Sequence, residues 1–117
     1  MALTRAFRTT LGEELRRDRA FRVAYLSEAI GCLHAGDLAT GKAMLRDLIN
    51  GTLGFGELGR ALQRSPKSLM RMLSTAGNPQ AESLFGILNH LQRREGVEVR
   101  VLPVGRRPRQ RRFAKAG

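Results

Sequence analysis

Phe55-Gly-Glu-Leu-Gly-Arg-Ala-Leu-Gln-Arg-Ser65-Pro-Lys-Ser-Leu-Met-Arg-Met-Leu73 is the stretch on which the fold turns. It divides at Gln63-Arg64 into two short segments. Residues 55–62 read as a helix, although Gly56 and Gly59 each weaken its intrinsic propensity by about 1 kcal/mol relative to alanine. Ser65-Pro66 is a sharp start signal for a second helix over residues 66–73. A serine before the first turn accepts a hydrogen bond from a free amide, and proline at the first position gives up no useful donor. Leu69, Met72 and Leu73 then share one side, while Lys67, Ser68 and Arg71 fall largely on the other. Two short helices joined by a tight turn match the helix-turn-helix arrangement.

Working outward, residues 74–77 form a loop, and Asn78-Pro79 repeats the cap-plus-proline signal. The helix expected after it carries Leu84, Ile87, Leu88 and Leu91 at core spacing, with Phe85 beside them, and stops at Gly96. Upstream, Asp18 is placed to cap a helix running to about Ala35, with Phe21, Tyr25, Ile30 and Leu33 on one face and Leu26 and Ala29 widening it. Gly36 stops that helix. Asp37 caps the next, which carries Leu38, Met44, Leu45, Leu48 and Ile49 and ends near Asn50-Gly51. Residues 1–10 read as a mixed lead-in and residues 11–17 as a short helix. Val97, Val99 and Val101 alternate with Glu98 and Arg100, which is strand spacing. A lone strand has no ladder partner, so residues 97–102 are expected to pair with their copy in a two-fold homodimer. The resulting division is 1–17 lead-in and short helix, 18–102 helical domain, and 103–117 a basic tail expected to be disordered.

A chain of 117 residues suffices for one domain. Its net charge of +11 favours a polyanionic partner, nucleic acid first. Six of those charges, Arg106, Arg107, Arg109, Arg111, Arg112 and Lys115, lie in the tail, which leaves the body at +5. The tail reads equally as a DNA anchor or as a solvated extension. The single cysteine, Cys32, reads as a small buried hydrophobe. His34 and His90 are isolated from other metal ligands, and Glu13-Glu14 and Glu95/Glu98 do not make an acid–base pair. There is no phosphate loop or nucleophile motif, so neither an enzyme nor a cofactor is expected. With no signal-peptide pattern and no apolar run of about 18 residues, the expected location is the cytoplasm, without membrane attachment.

The second helix of the motif would enter the major groove with its N-terminal end leading. Ser65, Lys67, Ser68 and Arg71 stand at that end, where lysine and arginine can donate to guanine edges or phosphate. The quoted stretch, followed by Gly77-Asn78-Pro79-Gln80, resembles the lambda-repressor-like (Xre, or Cro/cI) helix-turn-helix, and more narrowly its addiction-module antidote branch. The shared core is Leu-X-Arg-Met-Leu…Gly-Asn-Pro, here Leu69 to Leu73 and Gly77 to Pro79, with weaker likeness in Ala24-Tyr25-Leu26 and Leu45-Arg46-Asp47-Leu48. The resemblance implies an all-α domain that binds double-stranded operator DNA as a dimer and neutralises a co-expressed toxin of the RelE type. It also implies phosphate contacts at Thr75 and Asn78; where many relatives carry an apolar residue in the turn this chain has Arg64, which implies a more open turn or an additional phosphate contact. The alternatives are a stand-alone transcriptional regulator and a protein-binding module with incidental nucleic-acid affinity.

Overall fold

The computed structural model describes residues 5–105. Six helices follow one another: α1 (Arg5–Arg17), α2 (Arg19–His34), α3 (Leu38–Gly51), α4 (Gly54–Leu62), α5 (Pro66–Met72) and α6 (Ala81–Glu95). No strand occurs among the described residues.

Three of the helix starts are set by the expected side chains. Asp18 accepts from the Phe21 amide at 3.2 Å, Asp37 from Thr40 at 3.2 Å and Ser65 from Ser68 at 3.0 Å. Each bond satisfies one of the donors that the first turn of a helix leaves free. Gly96 ends α6 with a φ of 71°, a left-handed conformation that glycine adopts without penalty.

Helix α3 is the centre of the domain. It packs along α2 and also meets α1 and α4, while α6 closes over α2 and α4. The core is almost wholly aliphatic: Leu15, Leu26, Ala29, Leu45, Ile49, Leu58, Leu69, Leu73 and Ile87 have lost essentially all solvent contact. Burying a leucine or isoleucine of this kind contributes roughly 1.5–3 kcal/mol relative to leaving it exposed.

Several expectations need correction. Helix α1 begins at Arg5, so most of the supposed lead-in is helical. Thr9 and Thr10 keep their hydroxyls on the Arg5 and Ala6 carbonyls at 3.0 Å, bonds that stay inside the helix. Asn78-Pro79 does not open α6: Gln80 is the N-cap, without a side-chain bond, and the helix starts at Ala81. Leu38 and Phe85 sit on apolar stripes yet remain 51% and 55% exposed. Cys32 is only partly buried. Residues 97–105 are irregular, and within the single chain residues 97–102 have no strand partner. The tail residues from Arg106 to Lys115 lie outside the described residues.

One polar contact crosses the α2–α3 interface. The Tyr25 hydroxyl donates to Asp47 Oδ2 at 3.1 Å. Burial, then the Asp47 charge and this hydrogen bond, hold the phenol well above its ordinary pKa. In the unfolded chain tyrosine ionises at about pH 10. Above that pH the unfolded chain releases a proton that the native state retains, so this contribution to stability is complete below about pH 10 and is lost as pH rises further. Denaturant midpoints should therefore fall in alkali, and Tyr25→Phe should flatten the fall. Tyr25 is the only tyrosine, so its phenolate absorbance in the native protein reports the delayed ionisation directly.

Candidate nucleic-acid interface

Helix α4 ends at Leu62, and Gln63 turns the chain with φ 57° and ψ 47°. It is the sole non-glycine residue of positive φ among the described residues. A left-handed turn at a residue with a Cβ costs roughly 1–2 kcal/mol, which the packing of α4 and α5 on the core must offset. The Arg64 amide closes the turn by donating to the Gly59 carbonyl at 2.9 Å. Gly59 permits that approach. A Cβ there would sit 2.6 Å from the Arg64 carbonyl oxygen. The glycine that weakens α4 as a helix is thus the residue that lets α5 fold back against it.

Helix α5 is seven residues long, too short to persist by propensity alone. Ser65 and Pro66 fix its start, and fully buried Leu69 and Leu73 fix its inner side. The outer side is open. Arg64, Ser65, Lys67 and Arg71 are exposed and Ser68 is partly so. Lys67 and Arg71, four residues apart, lie on the same face.

The charge environment of this face is one-sided. Between Glu57 and Glu82 the chain has no acid, and its four bases are Arg60, Arg64, Lys67 and Arg71. None of the four makes an ion pair among the described residues. Arg60, exposed in the last turn of α4, was missed in the sequence reading, although the same acid-free run contains it. Met70, 43% exposed, was missed as well. It offers an apolar surface of the kind that packs against a thymine methyl.

Beyond α5, a recess of about 440 Å³ gathers Ser68, Arg71 and Asn78 with Ser74 and Gly77. Thr75 is exposed but does not line it. The loop forming the recess is tied down from behind. Lys42, on α3 and only 6% exposed, donates from Nζ to the carbonyls of Gly77 at 2.7 Å, Ser74 at 2.9 Å and Thr75 at 3.4 Å. Arg46, one turn later, donates to the Leu73 carbonyl at the end of α5. Neither residue had been singled out as structural. The available sign was that Lys42 falls three and seven residues before Leu45 and Ile49, on the buried stripe.

The described residues hold no group of three potential metal ligands, and none of their helices is long and apolar enough to cross a membrane. No family profile, curated protein or solved structure matches this chain.

Proposed function

We propose that α4, the Gln63 turn and α5 form a helix-turn-helix that binds double-stranded DNA, with Lys67 and Arg71 as the principal contacts in the major groove. The observation that carries this reading is the open, unpaired face of α5: two cations one turn apart, without a carboxylate to neutralise them, on a helix whose opposite side is locked into the core. Ser65 caps the helix and Ser68 assists at its edge. Arg64, Thr75 and Asn78 flank the groove as phosphate contacts, and the basic tail adds attraction without sequence preference.

The finer reading is an antitoxin of a toxin–antitoxin operon, on the strength of the residues 65–79 that resemble the addiction-module antidote branch of the Xre family. Such a protein works in the cytoplasm, represses its own promoter as a homodimer and neutralises a partner toxin of the RelE type. The dimer would be completed by pairing residues 97–102 across the two-fold axis; with both copies facing one side of a duplex, the half-sites would lie about one turn, roughly 34 Å, apart. The exposed Phe85 and Leu38 beside an apolar groove of about 500 Å³ favour a second reading, a module that engages another protein there.

Duplexes selected from random DNA by the purified protein supply the test. Lys67→Ala and Arg71→Ala should each lower affinity for the selected sequence by about 1–3 kcal/mol if they read bases, roughly 5- to 150-fold, and relax the preference. Deleting residues 106–117 should weaken all duplexes alike and flatten the salt dependence. Unchanged affinity and preference in both variants and the truncation would end the DNA proposal. For the antitoxin reading, the product of a neighbouring small gene should co-purify; without it, a stand-alone regulator is what remains.

A further inference from the structure

We propose that the recess between α1 and α3 is a binding site for a phosphate group, supplied either by a free phosphorylated small molecule or by a nucleic-acid backbone. The recess has a volume of about 380 Å³, at the lower end of the range for small-molecule sites. Three guanidinium-bearing residues line it, Arg8 and Arg16 from α1 and Arg46 from α3, together with Asn50.

Its shape follows from two glycines. Arg8, Gly12 and Arg16 recur at four-residue spacing, so both arginines flank a bare strip of α1. Across from it, Gly51 lies so close that a Cβ there would be 3.3 Å from Gly12 Cα and 2.9 Å from Leu15 Cδ1. The close approach brings Arg46 and Asn50 of α3 to the same recess as the α1 arginines. Gly12 leaves room on the floor for the Arg16 guanidinium. A side chain at that position would begin 3.3 Å from Arg16 Nη1, because the arginine folds back over the glycine.

The electrostatics select the ligand. None of the three arginines has a carboxylate partner among the described residues. Among the described residues Arg16 donates to the Gly51 carbonyl at 3.5 Å, and Arg46 to the Leu73 carbonyl outside the recess, each from one nitrogen of a guanidinium that carries five N–H donors. The one acid in the lining, Asp47, is engaged by the Tyr25 hydroxyl at 3.1 Å. Three cations against one anion leave the site short of negative charge. Forked N–H donors from more than one arginine match the several oxygens of a phosphate, and bringing one in relieves the mutual repulsion of the guanidiniums.

The test uses the full-length protein, with inorganic pyrophosphate as the free probe and a short duplex as the backbone probe, at matched ionic strength. If the phosphate is free, millimolar pyrophosphate raises the thermal midpoint of the wild type, and Arg8→Ala and Arg16→Ala each weaken the apparent affinity about tenfold. If it belongs to nucleic acid, pyrophosphate has no such effect, but each variant flattens the dependence of log affinity for the duplex on log salt by about 0.9. Arg93→Ala, an exposed arginine of α6 remote in sequence from the recess, is the control for bulk charge. The proposal is overturned if Arg8→Ala and Arg16→Ala behave like Arg93→Ala in both measurements. The pyrophosphate arm requires no DNA, so failure of the α5 reading leaves it standing.

Discussion

Glu95→Ala should lower stability by about 3 kcal/mol, a fall in thermal midpoint of roughly 12 °C or more for a domain of this size. The carboxylate is almost fully enclosed, with 6% of its side chain exposed, and its Oε2 accepts from Arg22 Nε at 2.8 Å. Arg22 is itself 19% exposed and also donates to the carbonyls of Leu15 at 2.9 Å and Arg16 at 3.2 Å. That one guanidinium therefore fastens the end of α6 to the end of α1 through α2. Removing the glutamate strands a largely desolvated cation, and the two carbonyls compensate only in part, which sets the estimate at the low end of about 3–5 kcal/mol. The surface pair Arg100–Glu98 is exposed on both sides and should be worth less than about 1 kcal/mol. Replacing both partners, as Arg22→Met with Glu95→Leu, removes the stranded charge, so the double variant should be more stable than the two single losses added together. Denaturant unfolding of the wild type, Arg22→Met, Glu95→Leu and the double variant measures the coupling. Strict additivity would mean that the ion pair does not hold these helices together.

The ends and inner faces of the helices were largely legible because they depend on neighbours in sequence. Asp18, Asp37 and Ser65 cap the helices they precede, since a cap bond spans only three residues. Leu26, Leu45, Leu69, Ile87 and Leu91 are buried, as their spacing implied. The reading failed where structure depends on what covers a surface. Phe85 and Leu38 occupy apolar positions, but periodicity cannot supply the element that would pack over them. The alternation at residues 97–102 is a separate case: a strand there requires a second strand beside it, which the proposed homodimer, and not the single chain, would supply. Helix α1 reads short in the sequence because its first turn carries no acid, the charge signal of a helix start.

The candidate interface divides along the same line. Lys67 and Arg71 could be placed outward because Leu69 and Leu73 had to point inward, and the structure leaves both cations exposed. What joins Asn78 to Ser68 and Arg71 in one recess is a loop held by Lys42 and Arg46, bonds spanning 27 to 35 residues. No local rule reaches that far. Gln63 shows the reverse case: a side chain that argues against a left-handed turn adopts one, because the packing of two helices decides the angle between them.

The loop behind α5 is also where a single methyl group should do the most damage. In Gly77→Ala the added Cβ would lie 2.5 Å from the Met72 carbonyl oxygen, 2.8 Å from the Met72 carbonyl carbon and nearer still to the Arg71 carbonyl oxygen. All of these are backbone atoms of the end of α5, so relief requires moving the helix or the loop. The Gly77 carbonyl is at the same time an acceptor for Lys42 Nζ, at 2.7 Å. A displaced loop therefore loses the ammonium that three carbonyls share. We expect Gly77→Ala to cost at least about 3 kcal/mol, in the class of severe losses caused by overpacking and broken buried hydrogen bonds. Lys42→Met keeps the length of the stem and inserts no atom into the loop, so it isolates the bonding contribution, expected at about 2–3 kcal/mol for hydrogen bonds to a charged donor. The two variants also separate stability from function. At a temperature where Lys42→Met remains folded by circular dichroism, its released loop should still weaken duplex binding through the displaced Arg71 and Asn78. A Gly77→Ala protein within about 0.5 kcal/mol of the wild type, the range of an ordinary surface change, would show that the loop can step aside. The position of the α5 face would then have to be held by its leucines and by the Arg46 bond to the Leu73 carbonyl.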